Sequence, residues 1–262
     1  MNQNIAELID KLETLPADWH GAGTVDTTGL RAIAKHAETI GPISHSVETG
    51  SGKTTLLFSH LSADHRVFAV DMGNSIRQVR ESPLFKNENV TYVEGPTQVT
   101  LPGYPLPSKV QIALIDGPHG YPFPDLEYFY FYQIIETGGL LLVDDIPIPS
   151  INRMFEIIKA DDMFELVDIV NDNMAFFKRT SAPLIDPHSD SWWLQGYNRA
   201  HYNKMVERDA PTAVSAPASS SLFETIARPV LRRALRGASA LAPQALKEWM
   251  PDRVKKQLWN KM

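Results

Sequence analysis

Three short segments pass from apolar runs into acidic residues or glycines, and this pattern restricts the fold more than any other feature of the chain. The segments are residues 47–54, 112–119 and 138–145. A buried apolar run that opens into a polar turn is typical of a parallel strand ending at a crevice. The three segments therefore predict an α/β sheet whose carboxyl edge holds a ligand beside a cluster of carboxylates.

Strand and helix patterns alternate around these segments. Strands are predicted at 44–48, 66–71, 90–93, 111–115 and 139–144, and helices at 4–14, 27–40, 53–62, 73–82 and 124–136. Two more strands, 165–170 and 174–179, are predicted to form a hairpin around residues 171–173. This order predicts a doubly wound, mainly parallel sheet with an antiparallel C-terminal hairpin.

The charge distribution divides the chain into a body, a linker and a tail. We predict an α/β body at 1–209, a flexible small-residue linker at 210–221 and a basic, helical, amphipathic tail at 222–262. The tail has nine Lys and Arg against three acidic residues, which gives it a net charge of +6. Because the whole chain carries −6, the rest of the chain carries −12. An acidic body argues against nucleic-acid binding. The tail either packs as an appendage or binds an anionic membrane surface.

Composition excludes several other classes. The chain contains no cysteine, which excludes disulfides, thiolate metal sites and cysteine nucleophiles. No apolar run approaches the length that spans a bilayer, and the first residues lack the pattern of a secretory signal. We therefore expect a cytoplasmic protein, with the tail as a candidate for peripheral contact with the inner face of the membrane.

The glycines of the first segment predict a ligand-binding turn. Gly50 and Gly52 allow the backbone to turn tightly after a strand and to approach a ligand closely. Asp71 ends the next predicted strand, where an acid can accept hydrogen bonds from both hydroxyls of a ribose. A phosphate-binding loop is the rival interpretation, but Val47 occupies the position of its first glycine, and Glu48 would repel an anion.

The second and third segments bring Asp116, Asp144 and Asp145 to the same predicted edge. Three carboxylates at such close range repel one another unless they are protonated or bind a cation. Oxygen ligands suit Mg²⁺, or Mn²⁺ in its place. The alternative is that Asp144 caps a turn and Asp145 faces solvent. His119 follows Asp116 on the same loop and could accept a proton from a hydroxyl near neutral pH. Its alternative is a solvated side chain without chemistry.

The order E-x-G-x-G at Glu48, Gly50 and Gly52, followed by the acid Asp71, resembles the class I S-adenosylmethionine-dependent methyltransferases over residues 40–180. The resemblance implies that these residues surround the cofactor, and that Glu94 and Gly95 after the third strand face its adenine. The cofactor-binding residues implied in this way are Glu48, Gly50, Ser51, Gly52, Asp71, Met72, Glu94, Gly95 and Asp116.

The carboxylate triplet is similar to that of the metal-dependent O-methyltransferases of the catechol and macrolide-sugar types. By this resemblance Asp116, Asp144 and Asp145 would hold the metal, and His119, with Asp116, would form the catalytic pair. The chain departs from many relatives in having two consecutive aspartates at 144–145.

We therefore expect an S-adenosylmethionine-dependent O-methyltransferase that uses Mg²⁺ or Mn²⁺ and acts on a polyhydroxylated acceptor, either a glycan sugar or a small molecule. The alternatives are a metal-independent N- or O-methyltransferase, a phosphotransferase that uses residues 52–54, and a cofactor-binding scaffold without turnover.

Overall fold

A computed structural model of the protein describes residues 2–16, 18–19, 21 and 23–208. The predicted linker at 210–221 and the predicted tail at 222–262 lie outside the described residues. No helix in the described part of the chain is long and apolar enough to cross a membrane.

The elements follow one another in alternating order over most of the described chain. The helices are α1 (Gln3–Glu13), α2 (Thr27–Ile40), α3 (Lys53–Leu61), α4 (Ser75–Glu81), α5 (Thr97–Thr100), α6 (Phe123–Phe131), α7 (Pro149–Lys159) and α8 (Gly196–Arg208). The strands are β1 (Ile43–Thr49), β2 (Ser62–Ala69), β3 (Val90–Glu94), β4 (Val110–Ile115), β5 (Ile135–Val143), β6 (Phe164–Val170) and β7 (Met174–Arg179). Short 3-10 turns occur at Met72–Asn74, Asn87–Asn89, Leu101–Gly103 and Asp190–Leu194.

The strands form one seven-stranded sheet in the order β3-β2-β1-β4-β5-β7-β6. Strands β1 to β5 run parallel, and β7 pairs antiparallel with both β5 and β6. The strand order reverses direction between β1 and β4, and ligands of doubly wound sheets bind at the carboxyl ends of the strands beside such a point. The predicted fold class is confirmed.

Helices cover both faces of this sheet because the buried strands are apolar on both sides. In β4, Ile112 and Leu114 pack with α1, α2 and α3 on one face, whereas Ala113 and Ile115 pack with α6 and α7 on the other. All four of these side chains are almost fully buried. This continuous burial explains why β4 is a run of apolar residues without alternation.

The structure corrects two of the predicted element boundaries and adds a helix, α7, that was not predicted. Strand β2 begins at Ser62 instead of residue 66, and helix α7 was not predicted although its apolar residues recur at helical spacing. The helix predicted to reach residue 136 ends at Phe131, because Ile135 pairs with Val110 and already belongs to β5. Gly138 and Gly139 lie inside that strand, where a Cβ on Gly139 would come within 2.9 Å of the carbonyl oxygen of Gln111.

Candidate functional site

A cavity of about 880 Å³ opens at the carboxyl edge of the sheet, where the sequence predicted a ligand site. Its walls come from the loops that follow β1, β2, β3, β4 and β5, from the segment before α2, and from the β6–β7 hairpin. The volume lies within the range of small-molecule and cofactor sites.

The loop after β1 forms one wall of the cavity through Gly50 and Ser51. Gly50 has a φ of +87°, and a Cβ at this position would lie 2.2 Å from the carbonyl oxygen of Asp116. Only glycine therefore allows the ends of β1 and β4 to approach so closely. The Gly50 N–H donates a hydrogen bond to the Phe68 carbonyl at 3.0 Å, which fixes the turn against β2.

Glu48 lies elsewhere than the sequence suggested. Its carboxyl group is fully buried, accepts a hydrogen bond from Thr55 Oγ1 and lies 3.1 Å from Nε2 of the buried His65. Thr55 Oγ1 also accepts the N–H of Gly52 at 3.1 Å. Glu48 does not line the cavity, so we correct its position: it ties the first turn of α3 to the glycine loop from inside the protein.

Asp71 and Met72 follow β2 beside the cavity. Met72 lines it and is 62% exposed, whereas Asp71 is exposed next to it. Asp71 Oδ1 accepts the backbone N–H of Ile76 at 2.9 Å and, more weakly, that of Arg77 at 3.4 Å, so one carboxylate oxygen caps α4. The ribose contact predicted for Asp71 stays a prediction. Its Oδ2, the carboxylate oxygen that does not cap α4, would have to make this contact.

The end of β3 provides one residue that lines the cavity and one that does not. Gly95 is in the lining, with a φ of +139° and an N–H that donates to the Ala69 carbonyl at 2.9 Å. Glu94 instead forms an ion pair with Arg80 at 2.7 Å, and its side chain is half exposed.

Asp116, His119 and Asp145 form the group that could hold a metal ion. One ligand atom from each lies within 4.8 Å of the others, and His119 Nε2 is 3.2 Å from Asp145 Oδ2. Asp145 reaches His119 from a left-handed backbone conformation, with a φ of +56°. The sequence placed His119 near Asp116 but gave no indication that it would pair with Asp145.

Asp144 lines the cavity beside this group and contacts a residue that the sequence analysis did not select. Asn173 Nδ2 donates to Asp144 Oδ1 at 2.8 Å and to Asp145 Oδ1 at 3.2 Å. Asn173 precedes β7, so the antiparallel hairpin brings its amide between the two carboxylates. Asp144 as a metal ligand stays a prediction.

Two of these carboxyl groups, those of Asp116 and Asp144, have a raised pKa because of burial and of neighbouring negative charge. Burial, followed by the charges of Asp144 and Asp145, raises the pKa of Asp116 well above its ordinary value. Burial and the charge of Asp145 raise the pKa of Asp144 to about 6. A bound cation would relieve this repulsion, so the residues fit a metal ion.

The cavity lining contains a second pair that sequence analysis missed. Asn171 Nδ2 donates to Asp26 Oδ2 at 2.6 Å, and Asp26 Oδ1 caps α2 by accepting the Gly29 N–H at 2.7 Å. This bond joins the segment before α2 to the β6–β7 hairpin. Among the described residues, the cavity lining contains four aspartates and no lysine or arginine: Asp26, Asp116, Asp144 and Asp145.

The comparisons with known proteins agree with this geometry. Residues 47–146 match a family model described as a methyltransferase domain. This range contains the glycine loop, Asp71, His119 and all three predicted metal ligands. Together with the strand order and the cavity, this match agrees with the predicted class, a methyltransferase domain, over residues 47–146.

Solved structures give the same fold at low sequence identity. The O-methyltransferase NovP is 17% identical, with a TM-score of 0.52 over 68% of this chain and 98% of its own. The S-adenosylhomocysteine-bound methyltransferase PaMTH1 of Podospora anserina is 14% identical, with a TM-score of 0.50 over 69% of this chain and 89% of its own. No curated protein sequence matches the chain.

Proposed function

We propose that this protein transfers a methyl group from S-adenosylmethionine to a hydroxyl of a polyhydroxylated acceptor, with the help of Mg²⁺ or Mn²⁺. The observation that carries the proposal is the convergence of Asp116, His119 and Asp145 at the cavity beside the glycine loop. A proton acceptor next to clustered carboxylates is the arrangement that activation of a hydroxyl requires.

The cofactor half of the cavity would lie along the loops after β1, β2 and β3. Gly50, Ser51 and Gly52 would accommodate its amino-acid part, Asp71 its ribose and Gly95 its adenine. When bound, S-adenosylmethionine would supply the methyl group that the acceptor oxygen receives, and S-adenosylhomocysteine would be left as the second product. PaMTH1, which shares the fold, was solved with S-adenosylhomocysteine bound.

His119 would act as the general base. Its Nδ1, the ring nitrogen that does not face Asp145, would take the acceptor's hydroxyl proton, and Asp145 Oδ2, 3.2 Å from Nε2, would stabilise the resulting imidazolium. The Ser150 hydroxyl donates a hydrogen bond to the His119 backbone carbonyl and holds the loop against α7. Asp116, Asp144 and Asp145 would hold the cation, which when bound lowers the pKa of a coordinated hydroxyl.

The cavity lining favours a neutral acceptor. Among the described residues it contains no lysine or arginine that could pair with a phosphate or carboxylate group of the acceptor, whereas sugar or catechol hydroxyls carry no charge. This supports a neutral polyhydroxylated acceptor, either a glycan sugar or a small molecule.

A metal-independent methyltransferase is the second candidate, because the His119–Asp145 pair could remove a proton without a cation. The phosphotransferase alternative has no support. Val47 and Glu48 lie in strand β1, so the backbone before Gly50 cannot form the loop that wraps a phosphate.

Metal-free protein prepared with EDTA separates the two candidates. Mn²⁺ should bind it in a calorimetric titration, and Asp145→Ala should remove most of that binding, while Glu165→Ala, an exposed carboxylate on β6, should not. Methyl transfer to a panel of catechols and hexose glycosides should stop on chelation and return with Mg²⁺.

His119→Ala should retain Mn²⁺ binding and lower turnover by about 10²–10⁴-fold, the range for loss of a general base. Loss of Mn²⁺ binding in this variant would show that His119 is a metal ligand and not a general base. Full turnover by metal-free protein would establish the metal-independent mechanism.

A further inference from the structure

The carboxyl group of Glu127 is buried behind the cavity wall, outside the proposed chemistry. Glu127 lies on α6 between core residues and is 0% exposed. Burial raises the pKa of Glu127 to about 8, so the group is mostly protonated and neutral near pH 7. A neutral acid can occupy this position without adding charge to the aspartate cluster.

Glu127 is connected to the backbone of Asp116 by two consecutive hydrogen bonds. Thr49 Oγ1 donates to Glu127 Oε2 at 2.8 Å, and the same hydroxyl accepts the N–H of Asp116 at 3.0 Å. Thr49 is the last residue of β1 and is 1% exposed. The chain of bonds therefore joins α6, β1 and the first residue after β4.

The same carboxyl group lies directly beside Gly117, the residue that follows Asp116. A Cβ on Gly117 would lie 2.3 Å from Glu127 Oε1 and 2.7 Å from Oε2. Gly117 lines the cavity, so the carboxyl group fills the space directly behind this part of the wall. Glu127 therefore packs against this part of the wall in addition to accepting the hydrogen bond from Thr49.

We propose that Glu127 is a positioning residue that supports Asp116 and Gly117 from behind the cavity, through the Thr49 hydroxyl and through contact with Gly117. The loss of support would move the carboxylate of Asp116 relative to His119 and Asp145. The effect on metal binding and turnover rests on the proposed function, whereas the effect on the loop does not.

The direct test is hydrogen exchange of the backbone amide of Asp116, followed by mass spectrometry in the full-length protein. Glu127→Ala and Thr49→Val should each raise the exchange rate at least about tenfold. Thr49→Val removes the hydroxyl that accepts the Asp116 N–H, and Glu127→Ala removes the carboxyl group that holds this hydroxyl in place. Glu127→Gln and Thr49→Ser keep the size and the hydrogen-bonding atoms and should protect the amide as the original residues do. Equal exchange in all four variants would overturn the proposal.

A double substitution tests the contact with Gly117. Gly117→Ala alone should weaken S-adenosylhomocysteine and Mn²⁺ binding, since the new methyl group meets the carboxyl group of Glu127. Adding Glu127→Ala should restore part of both affinities, because it removes the colliding atoms. A double variant as weak as the product of the two single effects would show that Glu127 and Gly117 do not act together.

These measurements distinguish the failure of the two proposals. Absence of methyl transfer and of Mn²⁺ binding in the unaltered protein, with the expected exchange pattern, would reject the proposed function and leave Glu127 as the support of the loop. Metal-dependent methyl transfer with unchanged exchange in Glu127→Ala would reject the role of Glu127 alone.

Discussion

At the scale of single residues, the acids of the site differ in burial and in the groups that lie next to them. Burial opposes ionisation of Asp116 and Asp144, whereas Asp145 is part-exposed and close to His119. The three carboxylates thus differ in their chemical environment although they follow neighbouring strands. Asp145 is the one best placed to share a proton or a cation with the imidazole.

Asp71 allows a test of the cofactor site. Asp71→Ala should weaken S-adenosylhomocysteine binding by about 2–3 kcal/mol in calorimetry, since charge-assisted hydrogen bonds to the ribose would be lost. The same change removes a helix cap, which should lower the free energy of unfolding by about 1 kcal/mol.

Asp71→Asn separates these two effects. Its amide oxygen can still accept the N–H of Ile76, so stability should be retained while the cofactor affinity falls. Unchanged affinity in both variants would show that Asp71 does not contact the ribose.

Glu127 makes the stability of the protein depend on pH. Its pKa is about 8 in the folded protein against 4.5 as the ordinary value, so the folded state retains a proton that the unfolded state has lost. The free energy of unfolding should therefore fall as the pH rises from about 4.5 to 8, by up to about 1.4 kcal/mol per pH unit from this group.

Urea unfolding at a series of pH values checks this, with Glu127→Gln as the control. The Gln variant cannot ionise and should show a shallower decline over the same window. Parallel profiles for the two proteins would mean that Glu127 does not titrate on unfolding.

At the scale of elements, the β6–β7 hairpin brings Asn173 to the carboxylates and Asn171 to Asp26. Its two central residues, Asn171 and Asp172, have φ values of +53° and +51°, and the Asn173 N–H donates to the Val170 carbonyl at 3.0 Å. This is the geometry of a two-residue type I′ turn, which matches the twist of the strands.

Substitutions at these two positions separate turn geometry from the bond to Asp26. Asp172→Ala should lower the free energy of unfolding by about 0.5–1 kcal/mol, because alanine tolerates the left-handed conformation poorly. Asn171→Ala should lower it by about 1–2 kcal/mol, because it also removes the hydrogen bond to Asp26. Equal losses in denaturant unfolding would show that this bond contributes nothing to stability.

At the scale of the whole molecule, the acidic body and the basic tail predict opposite behaviour toward anionic surfaces. We propose that residues 222–262, which lie outside the described residues, bind anionic lipid. The full chain should then sediment with vesicles that contain phosphatidylserine, less so as salt is added, and a chain ending at residue 209 should not. Equal sedimentation of both chains would reject membrane contact by the tail.

Local sequence patterns determined the fold class and the location of the site. Where strand and helix patterns alternate, apolar runs such as 112–115 predict buried strands, and the residue that follows such a run in a parallel sheet lies at its carboxyl edge. The ligand-binding turn was predictable in the same way, since Gly50 and Gly52 directly follow a strand pattern and allow a tight turn. These properties depend on near neighbours in the chain, which the sequence displays directly.

Only the tertiary structure decided which side chains meet. Glu48 belongs to the predicted motif, yet it turns inward to Thr55 and His65, and Glu127 appears in the sequence as one acid within an aromatic helix. The pairing of Asp145 with His119 depends on a left-handed turn, and that of Asp144 with Asn173 on the hairpin. These contacts join residues on separate elements, so they follow from how the strands and helices pack in space, which local periodicity does not encode.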